Sequence, residues 1–470
     1  MPVPGRQPLG VTRMVAARVT RSVALTTGLA LLATLSLTAL SSSAHAATAP
    51  HVRFTSAKAA RTCAQPVQRS HFTCFALRRT DPSAVSAAAS ATRLTNLRKL
   101  NQFTGQIDPP GLQPADLTAA YRLPSATGGE GQTVFIVDAY NNPNAEADLA
   151  VYRSQYGLPP CTTANGCFRK VNQNGQASPL PANNTGWAAE TALDLDMVSA
   201  ICPLCHITLI EANDDSLNIL TAVARANAMG AKFVSMSWGG DESSSTNAFD
   251  SAYFSPTGVV YSAASGDHGF AGGVYYPAAS NRVLAVGGTS LTPSASERGW
   301  SETAWSGSGS GCSVYSARSA WQGSAVPCAK RASTDLSAVA DPATGVSVYL
   351  TYGGSGWTVY GGTSAAAPII AAAYALAGPQ PAATSPAKVL YSHPSSLNDI
   401  TTGSNATTCS PAAVCHSDIG WDGPTGLGTP RGISAFTTSR GTTPGAVLPG
   451  YWASRPTRNV TNAAVPAGTS

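Results

Sequence analysis

From about residue 130 to residue 290, short apolar runs alternate with longer runs of helical period. TVFIVDAY, HITLIEA and KFVSMSWG are apolar almost throughout, without the strict polar alternation of a strand that has one wet face. EADLAVYRSQYG follows the first, TGWAAETALDLDMVSAI precedes the second, and LNILTAVARANAMG separates the second from the third. Each of these intervening runs has the length and periodicity of a helix. GVVYSAASGDHG and RVLAVGGT continue the strand series. Parallel strands need crossover connections, and helices supply them. The pattern therefore predicts an α/β fold with a mostly parallel central sheet and helices on both faces.

The ends differ in composition. Arg6, Arg13, Arg18 and Arg21 precede VALTTGLALLATLSLTAL and the small-residue step Ala44-His45-Ala46. A basic start, an apolar run and that step predict a secretory signal over residues 1–46, cut before Ala47. No other run is long and apolar enough to span a bilayer, so no stable membrane association is expected after signal removal. Residues 47–110 are rich in Ser, Ala and Arg and end in the Pro-containing link QIDPPGLQPADL. They form a short prosegment, with a maturation cut expected between Asn101 and Gln113. Residues 111–436 are expected to be the folded domain, and 437–470 a flexible tail rich in Gly, Pro, Thr and Ser.

The 470-residue chain has a net charge of +5, only 11% charged residues and no block of Lys or Arg, which argues against a nucleic-acid partner. A monomer is the expected state. Ten cysteines fall as five close neighbours: Cys63/Cys74, Cys161/Cys167, Cys202/Cys205, Cys312/Cys328 and Cys409/Cys415. An even count in an exported chain predicts disulfides, and we expect each Cys to join its neighbour. Cys202-Pro-Leu-Cys205 could be a redox or metal motif. It precedes a strand rather than opening a helix, which favours a structural clip.

The candidate chemistry starts at GGTSAAAP, Gly361 to Pro368, directly before the apolar run IIAAAYALAG. Ser364 would stand at a helix N-terminus with Pro in the first turn. That arrangement is either a plain helix cap or a nucleophile. A nucleophilic serine needs a base, and among seven histidines only His268, in SGDHG, lies in a Gly-rich loop at a strand end. Carboxylates offer more. Glu190 and Asp194 are four residues apart and share one helical face, while Asp196 points elsewhere. Trp187, Leu193, Met197 and Ile201 make that helix mostly buried, and a buried acidic pair must share a proton or meet a partner. Asp267 follows an apolar strand between glycines, where α/β proteins place functional loops.

The ordered set ETALD, SMSWGG, SGDHG, VGGTSL and GGTSAAAP resembles the sedolisins, serine-carboxyl peptidases with a subtilisin-like fold. The likeness runs from about residue 112 to about residue 431. It implies that Glu190 and Asp194 serve Ser364 and that Asp267 lines the oxyanion hole. It further implies Asp138 as an acid linked to this set and Trp238 as a residue near the specificity cleft. The activity implied is hydrolysis of protein or peptide substrates in acid. The sedolisins usually carry a longer prosegment than residues 47–110. Near the C-terminus the resemblance implies a Ca²⁺ loop. Its oxygens would come from the carboxylates of Asp399 and Asp422 and the carbonyls of Ile400, Asp418 and Gly420. Two other readings remain: a subtilisin-type enzyme using His268, and a catalytically silent binding protein on the same fold.

Overall fold

The computed structural model describes residues 58–65, 71–81, 108–382 and 384–438. The expected signal peptide, residues 101–107 of the expected maturation link and nearly all of the C-terminal tail lie outside the described residues. An eight-stranded sheet forms the centre. Its order is Trp300–Ala304, Leu284–Pro293, Val260–Ala264, Phe233–Met236, Thr133–Ala139, His206–Ala212 and Phe168–Asn172, with Leu336–Val339 also pairing with Leu284–Pro293. All pairs are parallel except that between Leu284–Pro293 and Trp300–Ala304. The α/β expectation from the apolar runs holds.

The strand Thr133–Ala139 shows why its sequence is apolar throughout. Val134 and Ile136 join one core with the helices Thr185–Ile201 and Thr363–Ala377, while Phe135, Val137 and Ala139 join a second core with Ile219, Leu220 and Val223 of the helix Asn218–Ala228. Successive side chains point to opposite faces, so a strand between two helical layers buries both sets.

The helix Thr185–Ile201 opens at Asn184, whose side-chain oxygen accepts from the backbone N–H groups of Gly186 at 2.9 Å and Trp187 at 3.1 Å. Every residue from Trp187 to Ile201 is buried. The helix Thr363–Ala377 begins one residue after Gly362, which has φ 91°. Because the helix starts at Thr363, Pro368 falls in its second turn and not, as the sequence suggested, in its first. Proline has no N–H to give the carbonyl four residues back. That carbonyl belongs to Ser364, and the Ser237 hydroxyl oxygen lies 3.3 Å from it.

All five disulfides join neighbouring cysteines. Cys202–Cys205 closes the link between the helix Thr185–Ile201 and the strand His206–Ala212, as a clip would. No helix among the described residues is long and apolar enough to cross a membrane. Part of the expected prosegment is built into the fold. Ala59–Arg61 pairs antiparallel with Leu77–Arg79, which pairs in turn with Gly356–Gly361, and Thr73–Cys74 pairs with Trp238–Asp241.

Candidate active site

Two helices and three strand ends meet around Ser364. The Ser364 hydroxyl donates to Glu190 Oε2 at 2.8 Å and lies 3.1 Å from the Ser237 carbonyl. The same Glu190 oxygen accepts from the backbone N–H of Ala76 at 2.9 Å. One turn on, Asp194 Oδ1 accepts from the Ser237 hydroxyl at 2.6 Å. Glu190, Asp194, Ser237 and Ser364 are all fully buried. Glu190 Oε1 and Asp194 Oδ2 have no hydrogen-bond partner. Asp138, at the end of its strand, is also fully buried, with the Thr191 hydroxyl as its polar neighbour.

The electrostatics follow from that burial. Removal from water disfavours the charged form of each acid, and neighbouring acids add repulsion. Burial, then the charge of Asp138, holds Glu190 well above the usual carboxylate range, against the hydrogen bonds from Ser364 and Ala76. Asp194 is raised by burial and by Asp138 and Glu190, against its bond from Ser237. Burial pushes Asp138 to about 7. The charge of Asp138 thus opposes ionisation of both others, and that of Glu190 opposes ionisation of Asp194.

Asp267 occupies the loop after Val260–Ala264. Its Oδ1 accepts from the Thr363 N–H and the Thr363 hydroxyl, both at 2.8 Å, while Oδ2 is buried without a partner. Burial raises Asp267 to about 7, with Thr363 and then Arg61 working against it. The structure thus brings Glu190, Asp194, Asp267 and Ser364 to one place. Asp196 lies elsewhere, accepting from the Tyr349 N–H at 2.9 Å. His268 bonds to the Tyr275 hydroxyl at 3.0 Å and to the Arg61 guanidinium. Among the described residues, Ser364 has Glu190 and not a histidine as its side-chain partner, which removes the structural basis of the His268 reading. Trp238 is fully buried and donates from its indole to the Val137 carbonyl at 2.7 Å.

Sequence reasoning gave no role to Ser237 or Glu211. Glu211 stands opposite Asp138 in the sheet, is fully buried, and is raised to about 7 by burial. Its signal was a charge inside the apolar run HITLIEA. Ala76 carried no signal at all.

The candidate calcium ligands lie at another place. Asp399 and Asp418 are exposed, and Ile400 and Asp422 are buried. Asp399 Oδ2 accepts from the Gly420 N–H at 2.9 Å, so the two halves of the expected loop meet. Asp422 Oδ1 accepts from the Thr425 N–H at 2.8 Å. Burial raises Asp422 to about 7, with Asp399 adding repulsion. Among the described residues, no three His, Cys, Asp or Glu side chains are grouped to hold a metal ion. A site here would therefore rest on two carboxylates and main-chain carbonyls. The buried Asp422 carboxylate, with Asp399 adding repulsion, is the feature of this loop that a hard divalent cation would offset.

Comparison with known proteins gives a consistent set of relatives. Residues 182–390 match the Subtilase family. The chain is 32% identical over 357 residues to kumamolisin of Bacillus sp. (strain MN-32), covering 69% of this chain and 63% of that protein. It is 27% identical over 380 residues to sedolisin of Pseudomonas sp. (strain 101), covering 70% of this chain and 62% of that protein. The chain therefore spans less than two thirds of the length of these curated relatives. A solved structure of Pseudomonas sedolisin, a serine-carboxyl proteinase complexed with two molecules of pseudo-iodotyrostatin, matches with a TM-score of 0.57 and 25% identity. That match covers 69% of this chain and 96% of that one.

Proposed function

Because the chain belongs to the sedolisin family, we propose that it is a serine-type peptidase that hydrolyses protein or peptide substrates in acid. The observation that carries this reading is the 2.8 Å bond from the buried Ser364 hydroxyl to Glu190 Oε2. With the proton of the buried acids held on Asp194, Glu190 takes the Ser364 proton as the hydroxyl attacks the peptide carbonyl, then returns it to the leaving amine. Asp194 orients Glu190 and shares its proton. Asp267 donates from a protonated Oδ2 to the oxyanion, which a carboxylate would repel. A carboxyl raised to about 7 keeps that proton throughout the acid range.

The protein works outside the cell after loss of residues 1–46, where its five disulfides persist, and acts as a monomer. Calcium binds through Asp399, Ile400, Asp418, Gly420 and Asp422 and supports folding of the C-terminal loop, with no part in the chemistry. The decisive test is hydrolysis of a peptide library from pH 2 to 8 by wild type and Ser364→Ala. We expect wild-type turnover with an optimum at roughly pH 3 to 5 and none in the variant. Intact wild type that hydrolyses nothing across that range would leave a binding protein on the same fold.

A further inference from the structure

Residues 72–79 lie along the site as an extended strand. Thr73 and Cys74 pair antiparallel with Gly239 and Trp238, and the Phe75 N–H donates to the Ser237 carbonyl at 3.2 Å. This is strand addition to a sheet edge, a general way of holding an extended peptide. On the other side of Ala76, Leu77 and Arg78 pair antiparallel with Gly361 and Tyr360. The chain is held on both sides of one peptide bond, Phe75–Ala76.

The amide hydrogen and the carbonyl oxygen of that bond each meet a group of the site. The Ala76 N–H donates to Glu190 Oε2, the oxygen that also accepts from Ser364. The Phe75 carbonyl oxygen lies against Gly362, where a methyl group would strike it and would also approach Asp267 Oδ2 at 2.7 Å. The unpartnered, buried Asp267 oxygen and the Phe75 carbonyl therefore converge on one side of Gly362. The Phe75 ring is fully buried against Ala264 and Ala367, with the Tyr275 ring edge-on at 5.2 Å. A side chain on Gly239 would begin 2.9 Å from that ring, so the glycine keeps the pocket open.

We propose that this segment is a peptide substrate the protein presents to its own site, that the bond cut is Phe75–Ala76, and that the Phe75 pocket selects an aromatic residue before the cut. The proposal rests on the peptidase reading above. Ser364 Oγ bonds to the Phe75 carbonyl carbon while its proton passes to Glu190. The carbon–nitrogen bond to Ala76 breaks, and Glu190 gives the proton to the departing amine. Water then attacks the acyl-serine, leaving a Phe75 carboxyl, an Ala76 amine and a restored Ser364. The net change is hydrolysis, with no oxidant or reductant.

The test uses the full-length protein incubated from pH 3 to 7, with new N-termini sequenced over time. Peptides with Phe or Lys before an Ala are assayed in parallel. We expect an N-terminus at Ala76 that appears at a rate independent of protein concentration in wild type and is absent in Ser364→Ala. Phe75→Asp, which keeps every catalytic group, should slow the cut at least about tenfold, since the pocket would have to bury a charge. The Phe peptide should be hydrolysed faster than the Lys peptide. Hydrolysis of peptides by a chain that stays intact at Phe75–Ala76 would overturn this proposal and leave the peptidase reading standing. Failure to hydrolyse any peptide, with the chain intact, would overturn both.

Discussion

Two groups of carboxylates in this chain have similar residue types and different surroundings. Asp138, Glu190 and Asp194 are fully buried, and Glu190 and Asp194 are met by serine hydroxyls and one backbone N–H. In the C-terminal loop only Asp422 is buried, while Asp399 and Asp418 reach the surface. A buried acid set without a cation relieves repulsion by keeping protons, which makes it a store for proton transfer. In the loop a hard cation would relieve the repulsion between Asp399 and Asp422. The first group is suited to chemistry and the second to stability.

The comparison is broken most directly by removing the proton path. Ser364→Ala and Glu190→Gln should each lower kcat by at least about a thousandfold, because members of a catalytic unit fail together. An amide at 190 cannot accept the serine proton. Full activity in Glu190→Gln, measured on a peptide substrate, would show that the buried set does no chemistry. Asp267→Asn keeps a donor for the oxyanion and should cost about a hundredfold. It should also flatten the alkaline fall of the pH–rate profile if ionisation of Asp267 near 7 sets that limb. An unchanged limb in the variant would assign the fall to another group.

Stability against pH sharpens the contrast. Asp138 and Asp267 titrate near 7 in the folded protein and near 4 when unfolded, so the folded state binds more protons between these values. Their contribution is complete below about pH 4 and is lost as pH rises to about 7, at up to about 1.4 kcal/mol per pH unit for each group. Thermal melts of Ser364→Ala, chosen to avoid self-digestion, should therefore show the melting temperature falling over that window. A rising melting temperature there would contradict the raised titration of the buried acids. The smallest effect is expected in the loop. Chelation should remove about 2 to 3 kcal/mol if calcium was near a hundredfold above its dissociation constant, with kcat on a short peptide unchanged when assayed below the melting range. The same melting temperature with and without chelator would remove the calcium site.

Much of the site was legible because it depends on short-range pattern. The helix Thr185–Ile201 has the bounds of the run TGWAAETALDLDMVSAI, and its period places Glu190 above Asp194. Asp267 was visible as an acid between glycines at a strand end, and Ser364 as a hydroxyl at a helix start. Ser237 and Glu211 were less visible. A serine in SMSWGG and a glutamate in HITLIEA look like isolated polar residues until the sheet sets each beside its partner. Asp138 and Glu211 become neighbours only through strand register.

The sequence by itself determined the layers. Apolar runs without alternation required strands buried on both faces, helical runs between them required parallel crossovers, and paired cysteines required local clips. Only the tertiary structure decided what fills the cleft. Nothing in HFTCFALRR distinguishes a loose prosegment from a strand. Its pairing partners lie at residues 237–240 and 360–361, far along the chain. Strand pairing and close burial depend on which surfaces meet in the folded protein, and local propensity carries no record of a partner so distant in sequence. The same holds for protonation: Asp267 keeps its proton through the acid range only because the packed core removes water from around it.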